Sequence, residues 1–335
     1  MTPDAPTNSP PIDPSTGDLL PDGGSTDEPF RGVYPAMITP FAEGGQIDYD
    51  ALRAEARRLE AAGVDGLVPV GSTGESATLS HQEHVDVVEA VVDAVDVPVI
   101  AGTGSNNTRE ALELSHAAAD VGADALLLIS PYYNKPEQRG LEAHFREIAD
   151  TVDLPQIVYN VPSRTGRNVE PDTVVALADH PNVEGYKAAS GDLGQVTEIV
   201  ERTREYDFSV LSGDDALTLP MLSVGATGTI SVAANVEPER TVAMVHSALE
   251  GNYAAARELH HDLGPLFREL FVETNPIPVK EAVAMRGHCG PTIRPPLSRL
   301  AEEHRDSLRT MLEEYEETRA DALADVTAAP TPVER

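Results

Sequence analysis

From residue 33 onward, eight short apolar runs recur, each separated from the next by roughly one helix length. They are VYPAMITPF (33–41), GLVPVG (66–71), VPVIAGTG (97–104), ALLLISPYY (125–133), PQIVYNVP (155–162), VEGYKAAS (183–190), FSVLSGDD (208–215) and GTISVAANV (228–236). The segments between them, such as YDALRAEARRLEAAG, SHQEHVDVVEAVVDAV and TREALELSHAAADVG, place apolar residues at the i, i+3, i+4, i+7 spacing of an amphipathic helix. Strands that are apolar throughout need cover on both faces, and alternation with helices supplies it in a parallel sheet. Eight β–α units in about 220 residues match a (β/α)8 TIM barrel. A doubly wound open sheet would begin with a glycine-rich phosphate turn after its first strand, and ITPFAEGG does not fit that fingerprint.

Past residue 251 the pattern turns purely helical, through NYAAARELHHDLGPLFRELF and LSRLAEEHRDSLRTMLEEYEETRADAL, joined by NPIPVKEA. The expected organisation is a disordered acidic, Pro-rich N-terminal extension over 1–30, a barrel over 31–251, a C-terminal helical region over 252–318 and a frayed tail over 319–335.

Charge narrows the partners. With 56 acidic and 24 basic residues the net charge is −32, which argues against nucleic acid and anionic membrane surfaces. No apolar run approaches the ~18 residues of a membrane span. The first residues lack the basic and apolar regions of a signal peptide. Cys289 is the one cysteine, so no internal disulfide forms and a cytoplasmic location is expected. Only three of the 24 basic residues are lysine, a balance that, with the acidic excess, resembles proteins of salt-loaded cytoplasms. If so, molar salt raises the melting temperature by screening self-repulsion. Greater stability at low salt would count against that habitat.

The scarcity of lysine makes Lys187 conspicuous, because it interrupts the apolar run 183–190. A buried ammonium is unfavourable unless paired or deprotonated. The choices are a lysine whose head snorkels to the rim and a neutral amine of the kind Schiff-base chemistry requires. In a barrel the site lies at the C-terminal strand ends, which here carry Ser72, Thr73, Glu75, Tyr132, Tyr133, Tyr159, Ser163, Arg164, Ile230 and Ser231. Tyr159, on the neighbouring strand, is either a packed ring or a proton carrier beside an imine. Arg164 is a carboxylate clamp or an ordinary surface arginine. GSTGES lacks the GK[ST] ending of a phosphate loop, and its amides and hydroxyls suit a small carboxylate equally well. The His81–His84 pair has i, i+3 spacing on a helix but no evident third metal ligand.

In order along the chain, VGSTGESATLS, IAGTGSNNT, SPYYNKP, YNVPSRTG, GYKAASG, LSGDD, GTISVAANV and NPIPVK resemble the dihydrodipicolinate synthase family of class I pyruvate lyases and aldolases, over residues 31–315. The resemblance implies a homotetrameric barrel enzyme that needs no cofactor beyond a Schiff base between Lys187 and pyruvate. It implies Tyr159 as proton donor and acceptor, with Ser72 and Tyr133 completing a relay, Tyr133 reaching in from a neighbouring subunit. Thr73 and the main chain of Ile230 would hold pyruvate, and Arg164 the carboxylate of L-aspartate 4-semialdehyde, on the route to diaminopimelate and lysine. It further implies a lysine effector site at Ser76, Ala77, His81, His84, Asn106, Glu110 and Tyr132. Two positions depart from the family pattern: Ser72 stands where Thr is common, and Ala188 follows the lysine where Glu is frequent. The SR pair of PSRTG favours the synthase over sugar-acid aldolases such as a 2-keto-3-deoxygluconate aldolase. A barrel that only binds a small acid is the non-enzymatic alternative, and Lys187 with Tyr159 argues against it.

Overall fold

The structure, a computed structural model, describes residues 28–328. Seven strands form one parallel sheet: β1 (Gly32–Pro35), β2 (Ile100–Gly102), β3 (Ala125–Ile129), β4 (Gln156–Asn160), β5 (Val183–Ala188), β6 (Ser209–Ser212) and β7 (Gly228–Ser231), in the order β1-β7-β6-β5-β4-β3-β2. The run expected at 66–71 closes the ring between β1 and β2. Ala36 pairs with Val68 on one side and Leu67 with Val99 on the other, both parallel. Five backbone bonds secure it: Met37 N to Val68 O (2.9 Å), Val68 N to Pro35 O (2.9 Å), Leu67 N to Pro98 O (2.8 Å), Ile100 N to Leu67 O (2.8 Å) and Gly102 N to Pro69 O (3.2 Å). This stave stays short for local reasons. Pro69 has no amide to donate, and Val70 turns to φ 50°. The fold is therefore the eight-membered barrel expected from the sequence.

Side chains alternate across each stave. Leu126, Leu128, Val158 and Tyr186 face the helices and join the outer core with Phe145, Ile148 and Ile199. Leu127, Ile157, Tyr159, Leu211 and Ile230 fill the lumen. Phe30, placed in the N-terminal extension by the sequence pattern, belongs to the lumen cluster instead; its amide donates to Ser209 Oγ at 2.9 Å and its carbonyl accepts from Thr227 Oγ1 at 2.7 Å. The rest of the expected extension, residues 1–27, lies outside the described residues.

Helix starts are read from side chains that satisfy the orphan amides of the first turn. Ser80 and Glu83 form a reciprocal capping box at the head of helix His81–Val92, and Asn107 caps Thr108–Asp120. Beyond the barrel, helices Tyr253–Glu269, Ile277–Met285 and Glu302–Ala328 build a second core around Leu263, Leu266, Phe267, Val279, Val283 and Leu308. That core also includes Val33, Ile38 and Val232, so it docks on the β1–β7 side of the ring. The last helix continues through the stretch from 319 where a frayed tail was expected, as far as Ala328, and residues 329–335 lie outside the described residues.

Candidate active site

The register of β4 against β5 sets Tyr159 directly beside Lys187. Because neighbours along a strand alternate, Tyr186 points outward, where its hydroxyl accepts from Asn160 Nδ2 at 2.8 Å, and Lys187 points into the lumen. The Lys187 amine lies 4.2 Å from the centroid of the Tyr159 ring, and the residue is 6 % exposed. Gly213, at the end of β6, makes room for it: a Cβ there would come within 2.8 Å of Lys187 Cε. Burial pulls the Lys187 amine down to about 7; the Asp215 carboxylate opposes this and the Arg164 charge adds to it. A substantial fraction of the amine is thus neutral near pH 7.

Sequence reasoning misses Asp215, although SGDD at a strand end is its signal. Its carboxylate is buried and accepts from Ser231 Oγ (2.5 Å), Val232 N (3.1 Å) and Ala233 N (2.9 Å). These bonds fix the turn that follows Ile230, whose own side chain is buried in the lumen cluster. Burial raises the Asp215 carboxyl above its ordinary range, against the pull of the Ser231 hydrogen bond.

The Tyr159 phenol is likewise raised by burial, with Arg164 and the Ser72 hydroxyl acting in the opposite direction. Ser72 lies on the GSTGES loop, which leaves the short stave in a coil bracketed by two left-handed non-glycine residues, Val70 (φ 50°) and Glu75 (φ 55°). A β-branched residue in that region is uncommon and persists only when its surroundings hold it. The buried Thr73 hydroxyl accepts from Asn275 Nδ2 at 3.0 Å, and the Asn275 carbonyl accepts from Arg164 Nη2 at 2.9 Å. Asn275 therefore ties two expected ligand residues together, and its Oδ1 is buried without a protein partner. It too is absent from the residues expected at the site, because NPIPVK shows no chemistry of its own in the sequence.

Lys187, Tyr159, Ser72, Thr73 and Arg164 share one cavity of about 760 Å³, which Phe271, Val272 and Asn275 also line. Exposed Tyr133 does not line it. At 86 % exposure and φ 67°, it stands out from this chain and lines a second cavity of about 920 Å³. Ser72, Tyr159 and Arg164 line both, so the two spaces meet at the proton-bearing groups.

The second cavity gathers six of the seven expected effector residues: Ser76, Ala77, His81, His84, Glu110 and Tyr132. Asn106 does not line it; its carbonyl accepts from Asn134 Nδ2 at 3.3 Å. His81 Nε2 meets Glu110 Oε1 at 2.6 Å, and Ser105 donates to the other carboxylate oxygen. These partners, Ser105 foremost, hold the Glu110 carboxyl below its usual range, so it stays anionic. His84 is buried, donates through Nε2 to Gly102 O at 2.7 Å, and is pulled by burial down to about 4. It is neutral at pH 7 and committed to a backbone carbonyl.

An amine that is readily deprotonated beside a phenol, with hydroxyls and a guanidinium around it, suits condensation with an anionic carbonyl compound. The comparisons with known proteins agree. Residues 29–315 match the model of the dihydrodipicolinate synthetase family. The chain is 69% identical over 284 residues to 4-hydroxy-tetrahydrodipicolinate synthase of Haloarcula marismortui, covering 84% of this chain and 93% of that protein. Among solved structures, dihydrodipicolinate synthase from Aquifex aeolicus superposes with a TM-score of 0.84 at 46% identity, covering 86% of this chain and 98% of that one. The enzyme from Cyanidioschyzon merolae, solved with lysine bound, gives 0.82 at 40% identity, with coverage of 84% and 97%.

Proposed function

Since the chain belongs to the dihydrodipicolinate synthetase family, we propose that it is a lyase condensing pyruvate with L-aspartate 4-semialdehyde to give 4-hydroxy-tetrahydrodipicolinate, on the way to diaminopimelate and lysine. The observation that carries this reading is the Lys187 amine, sequestered at 4.2 Å from the Tyr159 ring and neutral in a substantial fraction near pH 7.

In this scheme Lys187 Nζ attacks C2 of pyruvate, and water leaves as the iminium forms. Tyr159 returns a proton to the departing oxygen and then assists removal of one from C3, giving the enamine. C3 of the enamine attacks the aldehyde carbon, whose oxygen takes up a proton. The substrate amine finally adds to C2 and expels Lys187, closing the ring. Thr73 and the Ile230 main chain hold the pyruvate carboxylate, and Arg164 the carboxylate of the semialdehyde. Ser72 passes protons between Tyr159 and Tyr133 of a neighbouring subunit. Lys187 supplies the covalent chemistry without a separate cofactor. Supplying aspartate semialdehyde or glyceraldehyde with pyruvate tests the substrate: turnover of glyceraldehyde alone would replace this reading with a 2-keto-3-deoxygluconate aldolase.

A pH dependence follows. The nucleophile is the deprotonated amine, so at fixed pyruvate the rate of borohydride-trapped adduct formation rises with pH and levels off above about 7. An unperturbed lysine would keep gaining up to ~10.4. A trapping rate still climbing at pH 9 would contradict the neutral amine.

We further propose that lysine occupies the cavity of Glu110, His81 and Tyr132, its ammonium meeting the Glu110 carboxylate. Activity titrated with lysine tests this, and a flat curve into the millimolar range ends it. A homotetramer in the cytoplasm accords with the outward Tyr133 and the lone Cys289. Among the described residues no helix is long and apolar enough to cross a membrane. Light scattering at assay concentration tests the assembly, since a fully active monomer would leave Tyr133 without its role.

A further inference from the structure

Of the three lysines, the mechanism uses one. Lys280, on helix Ile277–Met285, is equally buried: its ammonium meets Glu75 Oε1, with the two side chains 2 % and 0 % exposed. The other carboxylate oxygen accepts from Arg294 N at 3.0 Å. The Lys280 ammonium and the Arg294 guanidinium both lie against the Phe41 ring, at 3.9 and 4.3 Å from its centroid. Glu75 is the left-handed residue that ends the GSTGES coil, two positions after Thr73.

We infer that the Glu75–Lys280 pair is a positioning device for Thr73, gripping the 70–76 loop so that the Thr73 hydroxyl meets the pyruvate carboxylate. Stability alone is a poor reason for such a pair, because a buried ion pair replaced by well-packed apolar groups is often no less stable. Geometry is the better reason. Backbone held at positive φ in non-glycine residues relaxes unless its surroundings over-determine it, and this loop has two such residues around Ser72 and Thr73. The same C-terminal segment grips the loop at two points, Asn275 at Thr73 and Lys280 at Glu75. Thr39 adds a third, donating to Gly74 O at 2.7 Å. Lys280 thus acts on the first half-reaction without touching substrate, through a ligand of its carboxylate.

The inference rests on Thr73 as a pyruvate ligand and Lys187 as the nucleophile, and its test separates these. Borohydride trapping on Lys187 is measured with pyruvate and with acetone, a ketone lacking the carboxylate. In Lys280→Met the half-saturating pyruvate concentration rises about tenfold or more, while acetone trapping stays within about twofold of wild type. In a Thr73→Val background Lys280→Met adds nothing further, because both act through one contact. Where Lys280→Met is not recovered folded, Glu75→Gln gives the same pattern. Equal losses with both probes would make the pair merely structural and overturn the inference. Unchanged pyruvate saturation, or losses that add in the double variant, would overturn it too. A wild-type protein trapping neither probe would sink the Lys187 assignment itself, and the inference with it.

Discussion

Replacing Lys187 with methionine removes turnover by on the order of 10³-fold or more, since no other amine takes its place in the lumen and the covalent route is lost. The variant folds: an apolar chain of similar length replaces a buried amine, so its melting temperature equals or exceeds that of wild type. Lys187→Arg is also inactive but less stable, because a guanidinium cannot shed its proton in that site. The rate of pyruvate consumption with aspartate semialdehyde, read beside a thermal melt, separates the two variants. Undiminished turnover in Lys187→Met would end the Schiff-base scheme.

Tyr159→Phe is the second large effect. The ring packs in the lumen, so its apolar contacts survive and the fold is kept. What is lost is a hydroxyl whose pKa burial raises, so that it keeps its proton near neutral pH and has one to pass on. Turnover falls by roughly 10²–10⁴-fold, the range expected for a positioned acid–base group. Lys187 is still present, so prolonged incubation with pyruvate and borohydride still labels it, only more slowly. A variant that labels as fast as wild type and also turns over as fast would remove Tyr159 from the proton path.

These two residues are legible in the amino-acid sequence because Lys187 interrupts an apolar run in a chain with three lysines and Tyr159 stands near the end of the preceding run, which are local properties. A period of two puts Lys187 on one face of β5, and an adjacent parallel stave brings Tyr159 next to it. The eight staves are readable for the same reason, including the 66–71 run that survives only as bridges. What stays hidden is what folding brings together from far apart. Asn275 meets Thr73 across 202 positions, and Lys280 meets Glu75 across 205, so neither pairing leaves a trace in a short window. Asp215 is hidden differently: an acid in a strand-end turn looks solvated until the Ser231 hydroxyl and two amides are seen to close on it. Phe30 falls on the wrong side of a boundary because a single aromatic after a long polar stretch has no period to reveal it.

The short stave between β1 and β2 has one more consequence. Two bridges zip the two edges of the sheet together there, and the chain that leaves them carries Ser72 and Thr73 within a few residues. A short joint of the cylinder and the proposed bed for the keto acid are thus one stretch of polypeptide. Under mild denaturant this joint opens first, and catalysis fades while far-ultraviolet ellipticity still reports an intact protein.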